Sequence, residues 1–165
     1  MASSERPPID GWSPPGATAR KAILDRSRSV AIVGASSNPA RASNFVATYL
    51  LSSSAEFDVY LVNPRESEIL GEPVYASLAE LPVAPDIVDV FRRNDDLPAI
   101  AEESIAVGAG AFWVQLGLWS DDAARMASRA GLDVVMDRCL KIEHARFHGG
   151  LHLAGFDTGV ISSTR

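Results

Sequence analysis

Short apolar runs alternate with stretches of helical periodicity along most of this chain. Val30–Val33 is continuously apolar, as a strand buried on both faces should be. It breaks at Gly34 into a small polar loop. Phe45, Val46, Tyr49 and Leu50 then follow at helical spacing. Later runs predict strands over 57–62, 86–91, 111–115 and 133–136. Pro64 stops the first of these, because proline cannot donate to a sheet ladder. Between the strands, Leu97, Ile100, Ala101 and Ile105 mark one helix, and Ala123, Met126, Ala127 and Ala130 mark another, capped by Ser120. A short helix is expected over 17–27 with Ala19, Ala22 and Ile23 inward, a short turn of helix near Leu78–Leu81, and a last helix over about 140–147. A brief edge strand is expected near Val74.

Strands alternating with helices at these spacings imply parallel right-handed crossovers. The expected fold is α/β, a doubly wound Rossmann-like parallel sheet of about five strands in the order 3-2-1-4-5, with helices on both faces. Residues 1–16, with Pro7, Pro8, Pro14 and Pro15, read as a mobile or extended arm that Trp12 can anchor. Residues 17–148 form the domain, and 149–165 a tail of no assigned role. In such sheets ligands bind beyond the carboxyl ends of the strands, where the order switches.

Composition narrows the function. The formal net charge of −6 argues against nucleic acid as a partner. One cysteine excludes an internal disulfide and suits a reducing compartment. No apolar run approaches the roughly 20 residues of a membrane span, and cytoplasm is the expected location. Against this acidic background, Arg41, Arg65, Arg92, Arg93 and Arg138 all fall at strand ends, which suggests a polyanionic small molecule; any one taken alone reads more readily as a surface arginine with a carboxylate partner.

The strand–glycine–loop–helix passage from Ser29 to Ser43 is a way of holding phosphate, with backbone N–H groups and a helix start facing the anion. It is not a three-glycine dinucleotide fingerprint, since the glycine after Gly34 is Gly71. Ser36, Ser37, Arg41 and Ser43 supply hydroxyls and a guanidinium instead. After the second strand, where an NAD site has an acidic residue for the ribose, the chain has Asn63-Pro64-Arg65. That leaves ligands carrying a further ribose phosphate, NADP or coenzyme A. No nucleophile–base spacing stands out. His144, His148 and His152 are spaced four apart beside Glu143 and could be read as metal ligands, but Gly149-Gly150 should end the helix before the third, so solvated or capping histidines are the expectation.

Five motifs in order carry a resemblance. Gly34-Ala35-Ser36-x-Asn38-Pro39-x-Arg41-x-Ser43, Val62-Asn63-Pro64-Arg65, Asp89-Val90-Phe91-Arg92, Trp113-x-Gln115-Leu116-Gly117 and Met136-Asp137-Arg138-Cys139 together resemble the small stand-alone CoA-binding proteins, which are similar to the N-terminal domain of the succinyl-CoA synthetase α subunit. The resemblance covers about 28–147. It implies a Rossmann-like fold with coenzyme A at the strand rim. It implies that Gly34, Ala35, Ser36, Arg41 and Ser43 hold phosphates, that Asn63, Pro64 and Arg65 line the adenosine end, that Phe91 and Arg92 cover its other side, and that Gln115 and Gly117 border the pantetheine path. Cys139 then lies toward the thiol end, either as a reactive partner of the CoA sulfur or as small apolar filler. The synthetase also uses a second domain with a phosphorylated histidine, for which this chain is too short, so catalysis by that route is not expected. The implied function is non-catalytic binding of CoA or acyl-CoA. The alternatives are an NADP-dependent oxidoreductase and an interaction subunit that has lost its ligand. A homodimer or another protein partner fits any of the three.

Overall fold

The strand Ser29–Val33 (β1) lies at the centre of the molecule, with every residue buried. The structure, a computed structural model, describes residues 6–52 and 56–148; the expected tail over 149–165 and His152 lie outside the described residues. In chain order the elements are α1 (Ala17–Arg26), β1, α2 (Ala42–Ser52), β2 (Asp58–Val62), β3 (Glu68–Ile69), β4 (Glu72–Tyr75), β5 (Ile87–Val90), α3 (Leu97–Ala106), β6 (Ala111–Val114), α4 (Asp121–Arg129), β7 (Asp133–Val135) and α5 (Leu140–His148). Short 3₁₀ turns occupy Leu78–Glu80 and Asn94–Asp96.

The α/β class and the helices on both faces are as expected, but the sheet differs in size and order. It has seven strands in the order β3-β4-β2-β1-β5-β6-β7. The five anticipated strands therefore run 2-1-3-4-5, not 3-2-1-4-5. The reason lies in residues 63–86. Instead of a crossover helix they contain a β3–β4 hairpin, and β4 pairs in parallel with β2 through Leu61↔Val74 and Val62↔Tyr75. The flank where the third strand was expected is thus occupied. β5 pairs with the other side of β1, in register Val30↔Ile87 to Val33↔Val90. The chain leaves β1 toward β2 on one side, and β5 lies on the other, so the switch point falls between β1 and β5.

Each face of the sheet has its own core. Val30, Ile32 and Trp113 pack under α1, α2 and α5 through Ile23, Leu24, Val46, Leu50 and Leu140. Ala31, Val33, Val88 and Phe112 pack under α3 and α4, where Ala124 and Ala127 let the helices approach closely. Ser120 caps α4 as expected, its hydroxyl accepting from Ala123 N–H at 3.1 Å. In α1 the inward side is Arg20, Ile23 and Leu24, whereas Ala19 and Ala22 are exposed. Arg20 turns inward because a buried partner awaits it: its Nε donates to Glu143 of α5 at 2.5 Å, and its Nη1 donates to Pro15 O at 2.9 Å.

The residues before α1 lie against the domain. Ile9 is buried, Trp12 Nε1 donates to Val134 O at 3.1 Å, and the Arg6 guanidinium stacks 3.9 Å over the Trp119 ring. None of the described helices is long and apolar enough to cross a membrane.

Candidate functional site at the switch point

A cavity of about 550 Å³ opens at the carboxyl ends of β1, β2, β5 and β6. Its wall contains Gly34, Ala35, Ser36, Arg41 and Ser43 from the first loop, and Asn63, Pro64 and Arg65 from the second. Phe91, Arg92 and Gln115 complete the expected set, joined by Ala42, Leu116 and Leu118. Gly117 and Cys139 do not line it. Gly117 instead donates its N–H to Asp137 Oδ1 at 2.7 Å, tying two rim corners together. Cys139 is half-buried against the α2/α5 core, on the side of the sheet away from α3 and α4.

The first loop is built around Gly34, which adopts φ +87°. A Cβ there would stand 3.0 Å from both Arg92 Cδ and Phe91 O, so only glycine lets the end of β5 approach this closely. The amides of Gly34 and Ala35 are not free for a ligand, because both donate to Val62 O, at 3.1 and 3.2 Å. The amide of Ser37 donates to the Glu66 carboxylate at 3.1 Å. Asn38 organises the remainder: its Oδ1 accepts from Ala40 N–H and its carbonyl from Arg41 N–H. What remains to meet an anion is the opening turn of α2 at Ala42 and Ser43, the Ser36 hydroxyl and the Arg41 guanidinium.

Asn63 acts as a brace. Its Nδ2 donates to Ala35 O at 2.7 Å and its Oδ1 accepts from Arg65 N–H at 2.7 Å, so one amide fixes the β1 loop against the β2 corner. Arg65 and Arg41 are exposed, and neither has a carboxylate within ion-pair distance among the described residues. Arg92 differs, donating to Asp96 at 3.2 Å, and Arg93 shares that carboxylate at 3.7 Å. Arg41 and Arg65 thus form a free pair and Arg92 and Arg93 a tethered one, while Arg138 lies outside this cavity and lines a neighbouring one.

Sequence reasoning missed what lies beneath the site. Asp89 of β5 is completely buried, and both of its carboxylate oxygens lack a partner. Burial pushes its pKa well above the ordinary carboxylate range, which favours the neutral acid. Gln115, next but one along β6 from Asp89's partner Trp113, has a buried Oε1 that is also unpartnered. A lone acid within the apolar run Ile87-Val88-Asp89-Val90 is the sequence signal that marks the position.

The histidines group elsewhere. Burial, and then the charge of His148, lowers the pKa of His144, whose Nδ1 lies 2.9 Å from the Tyr49 hydroxyl oxygen. His148 lies 2.9 Å from Asp25. Among the described residues no three His, Cys, Asp or Glu side chains are placed to share a metal ion.

The 2-1-3-4-5 sheet with its cavity at the switch point defines a doubly wound domain of the Rossmann-like class. More narrowly, the chain belongs to the CoA binding domain family, whose model matches residues 28–145. The uncharacterized protein YneT of Bacillus subtilis is 41% identical over 125 residues, spanning 76% of this chain and 91% of that one. A hypothetical protein from Pyrococcus horikoshii OT3 superposes with a TM-score of 0.77 at 36% identity, covering 89% of this chain and all of the other (100%). The dinucleotide forming acetyl-coenzyme A synthetase 1 of Ca. Korarchaeum cryptofilum, in complex with phosphate and ADP, matches with a TM-score of 0.60 at 22% identity, over 64% of this chain and 25% of that one. This last likeness is one of fold alone.

Proposed function

We propose that this protein binds coenzyme A or an acyl-CoA in the cavity at the β1/β5 switch point, and that it does so without catalysing a reaction. The observation that carries the reading is the pair of carboxylate-free arginines, Arg41 and Arg65, flanking the α2 start at one cavity mouth. The pyrophosphate meets Arg41, Ser36 and the opening turn of α2, and the ribose phosphate meets Arg65. Phe91 and Pro64 give the adenosine apolar surface on either side. Family membership supports coenzyme A over other ribose-phosphorylated ligands. Among the described residues, the ionisable side chains lining the cavity are Arg41, Arg65 and Arg92. Guanidinium groups hold their protons throughout the physiological range, so they bind anions and do not exchange protons with a substrate.

Isothermal titration with CoA, dephospho-CoA, NADP, NAD and ATP tests this directly. CoA is expected to bind tightest, and dephospho-CoA to lose roughly tenfold, the value of one charge-assisted contact at Arg65. A clear preference for NADP, or no CoA binding at all, overturns the reading.

A further inference from the structure

A second cavity, of about 670 Å³, adjoins the first. The two share Leu116, an exposed leucine at the end of β6 that lines both. The second cavity lies between the β6 and β7 corners and the segment before α1. Its apolar wall is Ile9, Trp12, Trp119 and Met136, with Leu116 at the junction. Trp12 and Trp119 meet edge to face, their ring centroids 5.7 Å apart. The segment before α1 is fastened over the cavity by the Trp12–Val134 hydrogen bond and by Arg6, which stacks on Trp119 and pairs with Asp137 at 3.7 Å. Arg6 and Asp137 compensate each other, and Arg138 adds one exposed guanidinium to the wall; the remaining surface is mainly aromatic, aliphatic and proline.

We propose that this chamber takes the acyl group of an acyl-CoA, an apolar chain of medium length, whose CoA moiety occupies the first cavity; the inference rests on the reading of that cavity given above. Direction follows from topology. With the ribose phosphate at Arg65 beyond β2 and the pyrophosphate at the β1 loop, the rest of the ligand continues across β5 toward β6, which ends at Leu116. The β7 corner lies three strand spacings from β1, about 14 Å. That is the span of roughly four extended residues of an amide-linked chain, and pantetheine is such a chain. The thioester therefore arrives beside Leu116, and a chain attached to it enters the chamber walled by the two tryptophans. Exposed leucine between two cavities is costly to hydrate and is covered when the acyl chain passes over it.

Titration of the full chain with CoA, acetyl-CoA and hexanoyl-CoA tests the proposal, read by calorimetry and by tryptophan emission. Hexanoyl-CoA should bind at least tenfold tighter than CoA, with acetyl-CoA close to CoA. Only the hexanoyl ligand should shift the emission of Trp12 and Trp119, since the third tryptophan, Trp113, is fully buried. Trp119→Ala should abolish the tenfold gain and leave CoA affinity within about twofold. Ser13→Trp, an exposed position on the chamber wall, should narrow the chamber and do the same without touching either core. Equal affinity of wild-type protein for CoA and hexanoyl-CoA overturns the acyl chamber and leaves the CoA site standing. Failure to bind either ligand overturns the CoA site itself, and the chamber with it.

Discussion

At the seam between α1 and α5, Arg20 is buried and locked to Glu143, which also accepts from Arg146. At the rim between β1 and β2, Arg41 and Arg65 stand exposed beside a cavity, with no carboxylate among the described residues to hold them. The same side chain has opposite uses in the two places. In the seam the charge was taken out of water during folding, so its energy is already committed to an internal partner, and its worth to stability appears mainly when that partner is removed. At the rim the charge stays hydrated and unpaired, so it can exchange water for phosphate oxygens. On the proposed reading, a binding arginine in this fold is recognised by what it lacks as much as by where it sits.

The sharpest way to break this contrast is Glu143→Gln. Leaving the Arg20 guanidinium buried without its counter-charge should cost about 3–5 kcal/mol, a fall in Tm of roughly 10 °C for a chain of this size. CoA affinity should not change. The double variant Arg20→Met with Glu143→Leu should recover most of the loss, because an apolar pair of similar volume removes the orphaned charge. Differential scanning calorimetry of the three proteins decides it; a single variant as stable as wild type would mean the seam is not a committed charge pair.

Arg41→Ala should do the reverse. Losing a charge-assisted contact of roughly 1.5–3 kcal/mol should weaken CoA binding about tenfold or more, while thermal stability stays near wild type. A large fall in Tm with unchanged affinity would place Arg41 with Arg20, as a structural residue.

Asp89 is a third case, buried like Arg20 and unpartnered like Arg41. Burial raises its pKa in the folded state. The native protein therefore holds this proton at pH values where the unfolded chain has released it, and stability falls as pH rises above the ordinary carboxylate value of about 4. Asp89→Asn removes that dependence. The variant should match wild type near pH 3 and be more stable than it at pH 8. Urea titrations across this range would show the curves diverging upward in pH. Parallel curves would mean that folding leaves the Asp89 pKa unchanged.

The smallest effect is expected from Arg93→Ala. Arg93 is 85% exposed, shares Asp96 with Arg92 and does not line the cavity. CoA affinity should change by less than about twofold, as for an ordinary surface ion pair. A loss equal to that of Arg41→Ala would show that binding responds to total charge at the rim and not to position.

Much of this was legible in the sequence because strand ends announce themselves. Gly34, Pro64, Phe91 and Gln115 each follow an apolar run, and parallel topology brings such corners to one edge, so the residues that meet across the cavity were found without knowing how the strands were ordered. The order itself was not legible. It depends on the Ile69-Leu70-Gly71-Glu72 turn, where Leu70 and Gly71 both take positive φ, at 54° and 77°. That is the geometry of a tight hairpin turn, which usually advertises itself with Asn-Gly. Leucine in that position hides the turn, and with it the β3–β4 hairpin that displaces the third expected strand. Arg20 was hidden for a related reason: helical periodicity sorts residues by polarity, and a buried ion pair inverts the sorting. Gly117 and Cys139 were placed at the site by position along the chain, but the Asp137 carboxylate draws one into the rim scaffold, and packing against α2 and α5 draws the other away.

The Trp12 indole has a consequence for the behaviour of many copies of this chain at once. Asp133 N–H donates to Gly110 O on the β6 side, so the next residue, Val134, points its carbonyl outward from the last strand of the sheet. Trp12 caps that carbonyl. At the opposite flank the outermost strand, β3, is only two residues long. Open sheet flanks are templates on which a second chain can add a strand. Here one is covered by the protein's own leading segment and the other is too short to recruit a neighbour. The segment that roofs the second cavity thus also occupies a carbonyl that a neighbouring chain would need in order to extend the sheet.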